Sequence, residues 1–423
     1  MIKVLAVAGL LLMPSLAYAD PALLAVTHAD AWPMDGRGKI ADATIVVKDG
    51  KVVSVTAGGA VPNGATVIDA AGKTVTPGLM NSATQLGLVE TGQANETNDM
   101  SDSNATLGAS FDVQYALNAN SVLLPVVRAD GVTRAVTFPG ASGTAPFMGQ
   151  GAVLRLVESN DILDVARSAV YVQVGSGSLA ASGGSRAGQW QLLRNALSDA
   201  RDNNAAKVKS TTGNHRDLEA IGRVLDGTVP LVILTQRESD IRQAIALAAD
   251  YKIRVVIMGG DEAWRCADAL AAAKIPVVLD PMDNLPINFD VIGARLDNAA
   301  LLARAGVDIG LYSSGNTIYL SYNAGEAMRE AAGLAVANGL PYDQALRAMT
   351  TTPAKIFGIS GHYGSLAAGM DADLVIWDGD PLEPGTYPAH VFVRGVDASL
   401  TTRQILLRDR YSKPDALPPV YRK

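Results

Sequence analysis

Imidazoles and carboxylates are the groups by which this chain would grip a metal ion or move protons near neutral pH. Its 423 residues include four histidines, His28, His215, His362 and His390. None stands in the His-x-His or His-x3-His spacing that brings two imidazoles to one ion. His215, at the start of a predicted helix, is the one kept as a catalytic candidate; the other three fit surface or capping roles. Asp280 and Asp283 flank Pro281-Met282 at the end of a predicted strand, and Asp261-Glu262 open a helix after another. An all-oxygen site for Mg or Ca would need several such groups to converge. A helix start accounts for Asp261 as an N-cap and for Glu262 beside the helix dipole. Ser313 and Ser314 follow a further strand, yet a serine nucleophile needs a base to take its proton, and no His or Lys is spaced to serve. Ser176-Gly177-Ser178 lacks the strand-to-helix turn of a nucleophile elbow. The one cysteine, Cys266, is expected as a small core residue on a helix.

Two kinds of element must position these groups. Residues 22–75 read as strands, with Asp49-Gly50 as a hairpin turn between 44–48 and 51–55, because both turn positions tolerate positive φ. A second strand-rich segment closes the chain, at 372–378, 391–395 and 404–407. Neither buries enough apolar surface alone, so the two are expected to form one small β-sandwich. Between them strands and helices alternate. Val229–Leu234 precedes a helix with Ser239 at its start and Ile241, Ile245 and Ala248 on one face; 254–258, 275–279 and 307–312 are further strands. This alternation fits a (β/α)8 barrel. An open doubly wound sheet is the alternative, without a Gly-x-Gly-x-x-Gly turn to support a dinucleotide site. The polar stretch 90–110 is expected at the C-terminal face of the barrel, and the Gly/Ser-rich stretch 175–188 as a lid-like loop.

Composition narrows the setting. The hydrophobic fraction is 48%, the charged fraction 18%, the net charge −7 and the pI about 5.2, which suits a large apolar core and excludes an electrostatic footprint for nucleic acid. Lys3, the apolar run 4–12 and Ala17-Tyr18-Ala19 before Asp20 read as a cleaved secretory signal. The mature chain is therefore expected in a bacterial periplasm, with no later segment apolar enough to span a membrane.

Thr76-Pro77-Gly78-Leu79-Met80-Asn81-Ser82-Ala83-Thr84-Gln85 resembles the entry into the first barrel strand of the amidohydrolase superfamily, Pro-Gly-Leu-Ile-Asp-x-His-x-His. Gly369-Met370-Asp371-Ala372-Asp373-Leu374-Val375 resembles the return from its barrel. Gly131-Val132-Thr133, Ser185-Arg186-Ala187-Gly188, Leu234-Thr235-Gln236-Arg237 and Thr351-Thr352-Pro353-Ala354-Lys355 resemble its imidazolonepropionase-like and prolidase-like branch.

The signal reading covers 1–19, and the resemblance implies sandwich parts at 20–76 and 363–423 and a barrel at 77–362. It implies hydrolysis of small amides, cyclic amides or dipeptide-like molecules with a metal-activated water. It also sets the ligand positions, which here read Ala83 and Gln85, the neighbourhood of Gly175-Ser176, Leu234 and Gln236, Gly259, and Ser314. No metal and no other cofactor is therefore expected. The expected protein is a non-catalytic partner or ligand-binding member, with Gln85, Gln236, Ser314 and Asn316 presenting hydrogen-bonding groups to an amide-like ligand. An oligomer is expected, in one version with a catalytically complete relative. The competing expectations are a hydrolase with metal-free or displaced chemistry and a periplasmic solute-binding protein.

Overall fold

The computed structural model describes residues 23–103, 107–141, 145–206, 215–315 and 318–412. The secretory-signal reading of 1–19 and the pocket residue Asn316 lie outside them.

The chain begins with β1 (Leu23–Ala31), β2 (Ile40–Lys48), β3 (Lys51–Ala57), β4 (Thr66–Asp69) and β5 (Thr74–Pro77). Asp49 and Gly50 both take positive φ in the β2–β3 turn, as expected of that pair. Eight strands then form the barrel: β6 (Leu79–Thr84), β7 (Val132–Thr137), β8 (Phe147–Arg155), β9 (Leu163–Gln173), β10 (Leu231–Thr235), β11 (Val255–Gly259), β12 (Val277–Leu279) and β13 (Ile309–Leu311). The last strands are β14 (Leu374–Trp377), β15 (Pro388–Val393) and β16 (Val396–Asp397).

The two chain ends build one eight-stranded sheet, ordered β16-β15-β14-β5-β1-β2-β3 with β4 on β1. The stretches singled out in the sequence pair directly: Leu374 lies opposite Pro77 and Val375 opposite Thr76. The sheet curls so that the start of β3 meets the segment leading into β14, the Ala372 N–H donating to the Gly50 carbonyl and the Val52 N–H to the Met370 carbonyl. Val26, Ile45, Val47 and Val52 from the first end share a core with Leu374, Ile376 and Phe392 from the second. One expected strand is absent: residues 404–407 lie in a helix with Leu406 exposed, its start capped by the Thr402 hydroxyl accepting from the Ile405 N–H. The short apolar run Ile405-Leu406-Leu407 reads alike in either state, and the cap decides it.

The barrel sheet runs from β6 to β13 in chain order, and β13 returns beside β6. At that seam Gly310 faces Ser82, and a Cβ at 310 would sit 2.7 Å from the serine hydroxyl oxygen. The α/β barrel is thus present, with one strand reversed: β8 is antiparallel to both β7 and β9, and the other pairs are parallel. The helices are α1 (Leu124–Ala129), α2 (Arg186–Ala206), α3 (His215–Leu225), α4 (Glu238–Tyr251), α5 (Ala267–Ala273), α6 (Asn298–Arg304), α7 (Glu326–Ala337), α8 (Tyr342–Ala348), α9 (Thr351–Ile356) and α10 (Arg403–Tyr411). Ile241 is buried under α4 with Ile245 and Ala248 beside it, but Arg237 rather than Ser239 holds the N-cap position. Strand alternation divides the core. Val255, Ile257, Val277 and Leu279 face the helices, while Val256, Met258 and Val278 fill the barrel with Tyr171 and Tyr312. Among the described residues no helix is long and apolar enough to cross a membrane.

At the end where the strands begin, Tyr363 closes the barrel, its hydroxyl donating to the Gly78 carbonyl at 2.6 Å. Arg134, fully buried, lies over the Tyr363 ring at 4.9 Å. Its guanidinium donates to Asp164 at 3.0 Å, to Asp371 at 3.2 Å and to Asp373. Burial works against that charge, and Asp373, Asp164 and Asp371 hold the Arg134 pKa above its ordinary value nonetheless.

Candidate functional site

The opposite end of the barrel, where the parallel strands finish, carries the positions of interest. The inward alternation of Val278 on β12 continues to Asp280, which is buried. Asp280 accepts the Met282 N–H at 2.8 Å and the Ser314 N–H at 2.6 Å. The Ser314 side chain hydrogen-bonds Asp280 and Asp283 as well. Asp261, beyond β11, is also buried rather than capping a helix; a short 3-10 turn at 263–266 precedes α5 instead.

Three carboxyls thus share the mouth without a counter-charge. Among the described residues no Lys, Arg or His pairs with Asp261, Asp280 or Asp283. Burial first, then the neighbouring charges of Asp283, Asp280 and Glu262, push the Asp261 carboxyl up to about 8. Burial raises Asp280 to about 6, against the hydrogen bonds from Met282 and Ser314. Burial raises Asp283 too. Tyr312, buried beneath them, has its hydroxyl pKa pushed above the usual range by burial and then by these three acids.

The remaining predicted positions fall around this trio. Gln85 is buried; its N–H donates to the Leu320 carbonyl at 2.7 Å, while its side-chain carbonyl oxygen has no hydrogen-bond partner among the described residues. The Ser313 hydroxyl is likewise buried and unpaired. Ala83 is buried, and Leu234 packs on the inner core. The Gln236 amide accepts the Asp261 N–H at 3.4 Å and lies over Gly259, where a Cβ would collide with it. Gly259 also has φ +91°, a conformation that disfavours any side chain.

A divalent ion of the kind the resemblance implies does not fit these residues. Ala83, Leu234 and Gly259 offer no lone pair, and the space above Gly259 is filled by the Gln236 amide. Among the described residues no three His, Cys, Asp or Glu side chains are grouped to hold a metal.

The histidines lie elsewhere. His215 opens α3, exposed, in a surface cleft with Arg201, Glu219 and Arg223 rather than at the mouth. His28 and His390 pair with Asp69 and Asp397 in the sheet, and His362 lies 3.8 Å from Asp164. Cys266 is buried, as expected. The stretch expected to act as a lid is tied down: Asp290 accepts the Ser176 N–H at 2.8 Å and pairs with Arg186, and Gln189 bonds both the N–H and the carbonyl of Gly175. Tyr312 and the burial of Asp261 were missed in the sequence. Period-two alternation along 307–312 was the signal available for Tyr312.

A family model described as the amidohydrolase family matches residues 262–402. The amidohydrolase tasK of Hapsidospora irregularis is 39% identical over 122 residues, which is 26% of this chain and 12% of that protein, so the likeness spans about an eighth of the curated relative's length. An amidohydrolase from Thermotoga maritima has a crystal structure with a TM-score of 0.79 at 24% identity, covering 89% of this chain and 99% of that one. A prolidase-like structure from Bifidobacterium longum gives 0.52 at 18%, covering 93% and 97%. At these identities the two structures establish a shared fold. Positions 83, 85, 234, 236 and 259 all lie before the matched stretch, and Ser314 lies within it.

Proposed function

On the premise that this chain carries an amidohydrolase family domain, we propose that it is an exported, ligand-binding member that takes a small amide or dipeptide-like molecule at the barrel mouth without metal-assisted hydrolysis. The carrying observation is the pairing of uncompensated carboxyls with unsatisfied neutral polar groups. Asp280 and Asp283 favour a protonated amine, and the unpaired Gln85 carbonyl and Ser313 hydroxyl suit the N–H and C=O of an amide. Such a molecule has both features when its amino terminus is free. A role beside a catalytically complete relative is compatible with this mouth.

Binding of free and N-acetylated dipeptides, read as thermal stabilisation, tests the reading. Dipeptides with a free amine should raise the unfolding midpoint, their N-acetyl forms should not, and Asp280→Asn should abolish the difference. Turnover abolished by a chelator, together with one equivalent of transition metal in the purified protein, would overturn it.

The spread between Asp261 at about 8 and Asp280 at about 6 favours a second reading. Near neutral pH the first carboxyl is a proton donor and the second largely an acceptor, an arrangement suited to metal-free acid–base hydrolysis of an amide. That reading requires chelator-insensitive turnover that disappears in Asp280→Asn.

A further inference from the structure

The barrel mouth holds three acids and two unpartnered polar groups, and together these restrict what the far end of a ligand can be. The charges acting on Asp261 are those of Asp283, Asp280 and Glu262, all negative, and no positive charge acts on Asp283. Set among them are two side chains that are almost wholly buried. Tyr312 is 3% exposed and lies in the field of all three acids, and its hydroxyl has no hydrogen-bond partner among the described residues. Gln85 is 4% exposed, and its side-chain carbonyl oxygen is also without a partner among them. Gln85 belongs to this end because β6 lies beside β13: Ser82 faces Gly310, and the two strands run on to Gln85 and Ser314. Buried polar groups of this kind cost stability until something bonds them.

We infer that the mouth selects against a free carboxylate, and that its ligand is an amine whose far end is a neutral amide, read at its N–H by the Gln85 carbonyl oxygen. The inference rests on the proposed binding of an amine at Asp280 and Asp283. A carboxylate offers acceptors only, whereas an amide of nearly the same shape offers N–H donors and one carbonyl. The unpartnered pair in the mouth is one donor, the Tyr312 O–H, and one acceptor, the Gln85 carbonyl oxygen. The amide satisfies both; the carboxylate leaves Gln85 facing a second acceptor. Charge acts in the same direction. A ligand carboxylate would bring a further acid to three that already repel one another, and no Lys, Arg or His among the described residues is paired to them. Free dipeptides are then weak ligands, and peptide amides or amino-acid amides strong ones.

Calorimetric titration of the purified protein at pH 7 with alanyl-alanine, alanyl-alanine amide and N-acetyl-alanyl-alanine amide tests it. The amide should bind at least ~30-fold more tightly than the free dipeptide, and the N-acetyl form should not bind. Gln85→Met keeps the length of the side chain and removes the acceptor. It should lower affinity for the amide about 10-fold and leave that for the free dipeptide unchanged. A free dipeptide bound as tightly as its amide, with the N-acetyl form still excluded, overturns the inference and leaves the amine reading standing. Binding of the N-acetyl form, or of none of the three, overturns that reading and the inference with it. An amide preference that survives unaltered in a folded Gln85→Met protein overturns the role of Gln85. The wild-type comparison decides the selection even where the variant fails to fold.

Discussion

The two ends of the barrel treat buried charge in opposite ways. Where the strands begin, Arg134 meets Asp164, Asp371 and Asp373, and a guanidinium with no exposure satisfies three carboxylates at once. Where they finish, Asp261, Asp280 and Asp283 interact over Tyr312 with no cation paired to them among the described residues. The first cluster locks the sheet to the barrel, since Asp371 and Asp373 come from the returning chain end. The second stores unfavourable electrostatic energy where the fold does not need it. Compensated charge is architecture; uncompensated charge held in place is a capacity to bind something positive.

The largest test removes the architectural cation. Arg134→Leu leaves Asp373 buried without a counter-ion, while Asp371 keeps Lys51 at 2.7 Å, and should cost about 3–5 kcal/mol, read from denaturant unfolding. A loss below about 1 kcal/mol would erase the contrast.

Next in size is the mouth. The Asp261 carboxyl has a folded pKa near 8 against an unfolded value of 3.8, so the folded state binds the extra proton between them. Its stabilising share is complete below the unfolded value and drains away as pH rises through the folded one. Wild-type stability should fall from about pH 5 to about pH 8.5, and Asp261→Asn should flatten that fall by about 4 kcal/mol. A steeper fall in the variant would contradict the assignment.

The smallest effect concerns Gly259. Gly259→His drives a side chain into the Gln236 amide at φ +91°, with an expected loss of about 1–2 kcal/mol. Adding Gln236→Ala should recover part of it, because one of the two penalties is steric. Additive losses in the double-mutant cycle would show that the amide yields freely.

How much of this was legible follows from the same residues. The junction at Thr76-Pro77-Gly78 and the return at Asp373-Leu374-Val375 are local text, and the structure pairs them strand to strand. The direction of β8 was not legible, because Gly149-Gln150-Gly151-Ala152-Val153 is equally apolar read either way. Asp261 at a helix start has a sufficient local explanation, and only tertiary burial separates a cap from a strained acid. The Gln236 amide over Gly259 joins two strands 23 positions apart in the chain, a contact that no local pattern encodes.

The reversed strand has a consequence for access. Running β7, β8 and β9 up, down and up leaves no crossover helix along that flank. The connection after β6 takes up the missing cladding: Asp112 bridges to Gln150 and accepts from Arg167 at 2.6 Å, while Val113 packs against Ala152. A segment that would otherwise be free to roof the opening is committed to the wall. The opposite side of the opening is bordered by the connections that follow β12 and β13.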